Sequence, residues 1–306
     1  MIDFVGKKYW FFLVSAIIII PGIISLLAFG LKMGVDFSSG TALTVQFENS
    51  VELAQLRGQL ADLGYPKAVV QPTGENEFFI RLEELSSEET NNLTLGLESG
   101  LDTQITVNSL YSVSPTVAVT TVRNTAIAIA VAAIGILLYI AWAFRKMPKP
   151  FSWGACAVIA LLHDLLIVIA IFSILGWVAN VEIDALFVTG VLSVVGISVN
   201  NIVVVFDRIR ENVKRGAAKE FTKIANFGIN ESVGRSLNTS IATLFVIVAM
   251  LLLGGTTIFN LVLALLIGIA TGVYSSLCIA GQLLVMWDTG EFGRLFSRKK
   301  LENKTA

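Results

Sequence analysis

Residues 124–175 read NTAIAIAVAAIGILLYIAWAF, RKMPKP, FSWGACAVIALLHDLLIVIAIFSIL, and this stretch decides the fold. Asn124–Phe144 and Phe151–Leu175 each exceed the roughly 20 residues that a helix rising 1.5 Å per residue needs to cross about 30 Å of hydrocarbon. Between them lies a short basic break with Arg145, Lys146 and Lys149. Two spans joined by a charged turn mark a polytopic membrane protein. Working outward, four further apolar runs appear: Tyr9–Leu31, Ala185–Phe206, Leu237–Leu253 and Phe259–Trp287. The shortest, Leu237–Leu253, contains Thr239, Ser240 and Thr243, whose hydroxyls can bond back along a helix. Composition agrees: 55% of the 306 residues are hydrophobic and 15% charged, against about 25% charged in soluble domains. Disorder, a collagen-like fibre and a disulfide-stapled domain are excluded. Cys156 and Cys278 sit far apart in apolar runs without a CxxC pattern and read as small buried hydrophobes.

Charge placement sets orientation. Lys7 and Lys8 precede the first run, and Arg145, Lys146 and Lys149 lie between the second and third. Arg208, Arg210, Lys214, Arg215, Lys219, Lys223 and Arg235 lie between the fourth and fifth, and Arg294, Arg298, Lys299, Lys300 and Lys304 follow the sixth. These segments alternate, and the short connections Gly176–Asp184 and Gly254–Thr257 carry no basic residue. The positive-inside rule therefore predicts six spans with both termini cytoplasmic. The first run starts like a signal peptide, but it is too long and is followed by Lys32-Met33-Gly34 rather than a small-x-small cleavage site. It reads as a retained helix.

The remaining polar segment contains 12 of the 23 acidic residues and reads as a folded extracytoplasmic domain. Leu43, Val45 and Phe47 alternate with polar neighbours as a half-buried strand. Leu53, Leu56, Leu60 and Leu63 recur at helical spacing up to Gly64-Tyr65-Pro66. Strands follow at Ala68–Gln71 and Phe78–Leu82, around the turn Thr73–Asn76. Ser86-Ser87-Glu88-Glu89 caps a second helix, and Gln104–Val107 forms a last strand. The order is βαββαβ, a ferredoxin-like α+β unit. The chain thus divides into residues 1–31 (N-terminus and first span), 32–122 (the inserted domain), 123–287 (spans two to six) and 288–306 (a basic tail).

Polar groups inside spans are costly and are the first candidates for function. His163-Asp164 in the third span joins the single histidine to an intramembrane carboxylate; it reads either as a titrating pair or as an interhelical hydrogen-bonding pair. Thr189, Ser193, Gly196 and Asn200 form one small or polar stripe on the fourth span, of the kind that lets helices approach closely, with Asn201 beside it. Asp207-Arg208-Ile209-Arg210-Glu211-Asn212 follows, readable also as a charged helix end. Arg235 opens the fifth span and can equally snorkel to headgroups. One histidine without clustered carboxylates does not make a metal site. No HExxH, GxSxG or Walker pattern is present, so neither a cofactor nor an enzyme activity is expected. The basic tail reads as a topology and lipid contact, not a nucleic-acid site.

Gly34-Val35-Asp36-Phe37-Ser38-Ser39-Gly40-Thr41 resembles the G-x-D-F-x-G-G-T signature of the SecD/SecF family of protein-export membrane proteins, with Ser39 where glycine is common. Gly34, Asp36, Phe37, Gly40 and Thr41 are the matching positions. His163-Asp164 matches as well. Gly196-Ile197-Ser198-Val199-Asn200 with Phe206-Asp207-Arg208-Ile209-Arg210-Glu211-Asn212, and Arg235, are similar to the SecF branch. The resemblance implies an RND-like half-transporter of six helices that pairs with SecD, attaches to the SecYEG translocon and YajC, and acts on preproteins in the bacterial cytoplasmic membrane using the proton-motive force. It also implies that Asn201, Arg235, Asn200, Asp207, His163 and Asp164 lie on a proton path. One position departs. The family usually has an aspartate after Asn200 as proton carrier; here it is Asn201, and an amide does not titrate. Arg235 then needs another counter-ion, from SecD or from Glu231. A non-conducting scaffold for SecD and half of an RND-type lipid or small-molecule exporter are the alternative functions.

Overall fold

The computed structural model describes residues 1–255 and 258–291. The tail residues Arg294, Arg298, Lys299, Lys300 and Lys304, used above for orientation, lie outside the described residues, as does Thr257 at the end of the last short connection. The chain opens with α1 (Lys8–Phe29) and forms two units: residues 33–127, and residues 1–32 with the chain from Ala128 onward.

The first of these begins with a single turn, α2 (Val35–Ser38). It continues through β1 (Gly40–Phe47), α3 (Leu53–Asp62), β2 (Val69–Gly74), β3 (Glu77–Leu82), α4 (Ser87–Leu101) and β4 (Ile105–Val113). The strands pair antiparallel in the order β2-β3-β1-β4, the ferredoxin-like arrangement. Leu43, Val45 and Phe47 pack against Leu56, Leu60, Ile80 and Leu97, as the alternation requires. The start of β1 is buried on its other face too, because Ala42 sits with Val35, Phe79 and Val113. Ser86 caps α4 through a capping box in which its hydroxyl accepts from the Glu89 amide and the Glu89 carboxylate accepts from the Ser86 amide. Those bonds, the backbone one foremost, hold the Glu89 pKa below 4.5. Their contribution is therefore present above that value and fades as the pH falls through the lowered one. β4 runs six residues beyond its predicted end. Its residues 106–112 are exposed, so no burial pattern marks them; backbone pairing to β1, with a bulge after Thr44, holds them.

The chain continues through α5 (Pro115–Ala143), which begins in the 33–127 unit and ends in the membrane unit, and the membrane unit adds α6 (Pro150–Ala179), α7 (Ala185–Arg215), α8 (Phe221–Leu253) and α9 (Phe259–Ser275). A π-helical turn (Ser276–Ala280) and α10 (Gly281–Asp288) continue α9. Among the described residues six helices are long and apolar enough to cross a membrane. α5 starts at Pro115, ahead of its apolar run, because proline suits a first helical turn. α7 and α8 outlast their apolar runs at adjoining ends. At 1.5 Å per residue they are about 46–50 Å long, well over the hydrocarbon thickness. They meet in a hairpin that turns at Gly216, φ +65°. There Asn212 donates to Glu231 at 3.0 Å, and a Cβ on Gly228 would lie 2.8 Å from Ile209. Small residues close the other seams. A Cβ on Gly268 of α9 would lie 2.1 Å from a Val194 methyl on α7, and one on Gly22 of α1 would lie 2.1 Å from the Ala170 Cβ on α6. Between apolar helices in lipid, such close approach supplies dispersion contact where no hydrophobic drive exists.

The corner leading into β1 generates a stability prediction. Ser39 has φ 62° and ψ 166°, a region that is almost exclusively glycine's. Ser39→Gly relieves the strain and is expected to stabilise the 33–127 unit by about 1 kcal/mol. Hydrogen exchange of the β1 amides in the full chain measures it; equal or faster exchange in the variant contradicts it.

Candidate functional site

Asp164 lies on α6 with 0% exposure. A carboxylate so deep is tolerable only when its oxygens are bonded, and here they are. Oδ2 accepts from the Ser198 hydroxyl of α7 at 2.5 Å and from the Ser275 hydroxyl of α9 at 2.8 Å. Oδ1 lies 3.1 Å from His163 Nδ1. The other ring nitrogen, Nε2, is 2.8 Å from Ser15 Oγ on α1. Ser15 Oγ is 3.3 Å from the Tyr274 hydroxyl, which donates to the Phe11 carbonyl at 2.5 Å. One hydrogen-bonded chain therefore joins α1, α6, α7 and α9. Sequence reading found His163 and Asp164 but not Ser15, Ser198, Ser275 or Tyr274 as their partners. Lone hydroxyls in apolar runs carry no spacing signal; only their cost in hydrocarbon marks them.

Asn201 lies apart from this network. It is 6% exposed, and its amide nitrogen has no partner among the described residues. With Asn200, Gly196, Ile197, Thr239, Ser240, Thr243 and Ile269 it lines a cleft of about 360 Å³ between α7, α8 and α9. The stripe Thr189, Ser193, Gly196, Asn200 is exposed, so it is not a seam within this chain. Arg235 is also exposed, one helical turn from Thr239, whose hydroxyl donates to the Arg235 carbonyl. Arg235 has no ion pair among the described residues, and Glu231, four residues earlier, accepts from Asn212. Asp207 does not line the cleft; it pairs with Arg210 at 2.5 Å in the extended end of α7.

The signature residues shape a corner of the 33–127 unit. Gly34 accepts at its carbonyl from the Phe37 and Ser38 amides, forming α2, and Phe37 is half-buried. Gly40 has φ 129°, and a Cβ there would lie 2.4 Å from the Leu82 carbonyl oxygen. Thr41 is wholly buried, accepts from the Leu85 amide at 2.9 Å and meets Ser112 at 3.1 Å. The Asp36 carboxylate takes the Tyr111 phenolic hydrogen bond, and this, with some burial, raises the Tyr111 pKa above 10.0. These residues fasten β1 to both neighbouring strands.

The two polar sites differ in a measurable way. Asp164→Ala strips an acceptor from three donors and should destabilise the chain in detergent by about 2–4 kcal/mol. Asn201→Ala removes an amide without a bonded nitrogen and should cost under about 1 kcal/mol. Thermal unfolding of both variants checks this; equal losses contradict the assignment.

Comparison with known proteins matches the same elements. A family model described as protein export membrane protein SecD/SecF, C-terminal, matches residues 96–290, and a SecD/SecF GG motif model matches residues 24–51. The protein translocase subunit SecF of Thermobaculum terrenum is 45% identical over 314 residues, 99% of each chain. The protein translocase subunit SecDF of Bacillus subtilis is 33% identical over 93% of this chain and 38% of its own. The crystal structure of SecDF, a translocon-associated membrane protein from Thermus thermophilus, superposes with a TM-score of 0.84 at 31% identity over 94% of this chain and 39% of that one. The chain thus spans about two fifths of the SecDF proteins it matches and the full length of the SecF relative. It is a multi-pass membrane protein, and on the family models, the full-length relative and the shared fold it belongs to the SecD/SecF family of protein export membrane proteins.

Proposed function

We propose that the chain acts as the SecF-type half of a protein translocase, working with a SecD-type partner to promote preprotein movement across the bacterial cytoplasmic membrane. The observation that carries this reading is the polar face of α7 and α8. Thr189, Ser193 and Thr243 bond back to carbonyls one turn earlier, but Asn200 and Arg235 are exposed within long apolar helices and cannot satisfy themselves that way. Lipid is a poor neighbour for them; a second helical bundle is a good one. The SecDF relatives are long enough to contain such a bundle in the same chain. A carboxylate from the partner, placed in the cleft beside Asn201, is the counter-ion Arg235 needs.

That arrangement supports coupling to the proton-motive force. One charge crossing 100 mV releases about 2.3 kcal/mol, and protonating a carboxylate opposite an arginine removes half of an ion pair that holds two bundles together. In this chain the titrating group of that pair belongs to the partner, because Asn201 holds no proton. Cytoplasmic termini follow from the basic segments. Contacts with SecYEG, YajC, the preprotein and lipid belong to the same reading, and the chain itself performs no covalent chemistry in it.

A second reading, a scaffold that only stabilises a SecD-type partner, is favoured specifically by Asn201. Vesicles carrying the complex separate the two. If coupling operates, depolarisation slows late preprotein release, and Asn201→Asp raises proton flux by adding a titratable group to the cleft. Normal assembly with no effect of either treatment contradicts coupling and leaves the scaffold; failure to co-purify with a SecD-type partner contradicts both.

A further inference from the structure

We infer that His163 is a proton-binding site inside the membrane unit, built so that the Ser15 hydroxyl absorbs each change of proton count by turning between two acceptors. The site is the network around Asp164, not the Asn201 cleft, and its geometry does not rest on the partner proposed there. Its basis is the direction of the hydrogen bonds. The Tyr274 hydroxyl donates to the Phe11 carbonyl, so towards Ser15 its oxygen can only accept. The Ser198 and Ser275 hydroxyls donate to Asp164, which fits an ionised, acceptor-only carboxylate. Nδ1 of His163 must then carry a hydrogen to meet Oδ1. That leaves Nε2 and Ser15 as the one joint whose polarity is open.

With Asp164 ionised, two arrangements satisfy every group. In the first, His163 is neutral with its hydrogen on Nδ1, and Ser15 donates to Nε2. In the second, a proton from water has bound the Nε2 lone pair. Nε2 now donates to Ser15 Oγ, and the Ser15 hydrogen has turned to the Tyr274 oxygen, 3.3 Å away. The atoms balance with one proton added and one hydroxyl rotated; no covalent bond of the protein breaks and no helix needs to move. The charge added meets the Asp164 carboxylate across 3.1 Å.

The surroundings fit a proton rather than a metal or a larger cation. The groups facing the pair are Ser15 of α1, Ser198 of α7, and Ser275 and Tyr274 of α9, with Cys278 of the π-helical turn beside Tyr274. Among the described residues no lysine or arginine pairs with Asp164. His163 retains 12% exposure of its side chain while Asp164 has none, so the ring is the more accessible member of the pair. The Tyr274 ring stacks near the imidazole with centroids 6.4 Å apart, fixing its plane. The π-helical turn begins immediately after Ser275, and local widening of this kind recurs at functional positions.

The test exploits the single histidine of the sequence. The full-length chain, carrying a histidine-free affinity tag and labelled with 15N-histidine, is placed in lipid nanodiscs and titrated across about pH 5 to 9. The expected spectrum passes from a doubly protonated ring to a neutral ring with its hydrogen on Nδ1, the tautomer that water does not favour. Asp164→Asn, of similar volume, is expected to lose the Nδ1 preference. Ser15→Ala, a milder change, is expected to alter the Nε2 signal while leaving Nδ1 bonded. A ring that keeps one protonation state throughout, a neutral ring protonated on Nε2 in the unaltered chain, or a Ser15→Ala spectrum identical to the original would each overturn the inference.

Discussion

A carboxylate buried in hydrocarbon must have its oxygens satisfied from within the protein, and the arrangement of the membrane unit follows from how Asp164 meets that demand. Its donors come from α7 and α9 and from its own neighbour His163, which reaches α1 through Ser15. Those bonds are directional and short, so they fix the rotation of each helix about its axis as well as its distance. The small-residue seams then become possible: Gly268 against Val194 and Gly22 against Ala170 close only when the helices present those faces. Shifting any of the four by one residue would cost both the bonds and the close packing.

The polar inventory sorts into two classes. The Asp164 network is closed, with every donor matched inside the chain. The α7–α8 face is open: Asn200 and Arg235 are exposed, Asn201 is buried with an unbonded amide nitrogen, and the cleft that Asn200 and Asn201 line holds neutral groups. A closed network can hold a proton without help. An open face suits the second bundle proposed above, and on this face Asn201, where the family resemblance implies an acid, leaves the titratable group of the proposed ion pair to the partner. The same distinction explains the signature around Gly34–Thr41, whose residues are bonded internally and build a corner rather than a surface for a ligand.

How much of this was legible in the sequence depended on the signal each feature leaves. The six spans follow from run length alone, and the βαββαβ order follows from alternation and the Ser86 cap. Residues 108–112 of β4 left no trace because exposed edge-strand side chains have no pattern, and the polar extensions of α7 and α8 were hidden because apolar run length measures hydrocarbon thickness, not helix length. His163 and Asp164 stood out as charges among apolar residues. Ser15 and Ser275 did not, since a hydroxyl in a helix can usually bond its own backbone. The stripe from Thr189 to Asn200 was visible, yet whether it packs inside or outside the chain is a property of tertiary structure that spacing alone does not contain.

The central claim, that the α7–α8 face is completed by another helical bundle, can be tested by oxygen accessibility of nitroxide labels in bilayers. Cys156 and Cys278 are buried, which favours selective labelling of introduced cysteines at Asn200, Thr243 and, as a lipid-facing reference on α5, Leu138, which is 62% exposed. Addition of a SecD-type partner should lower oxygen collisions at positions 200 and 243 and leave 138 unchanged. Equal accessibility at all three positions with and without the bound partner would contradict the account.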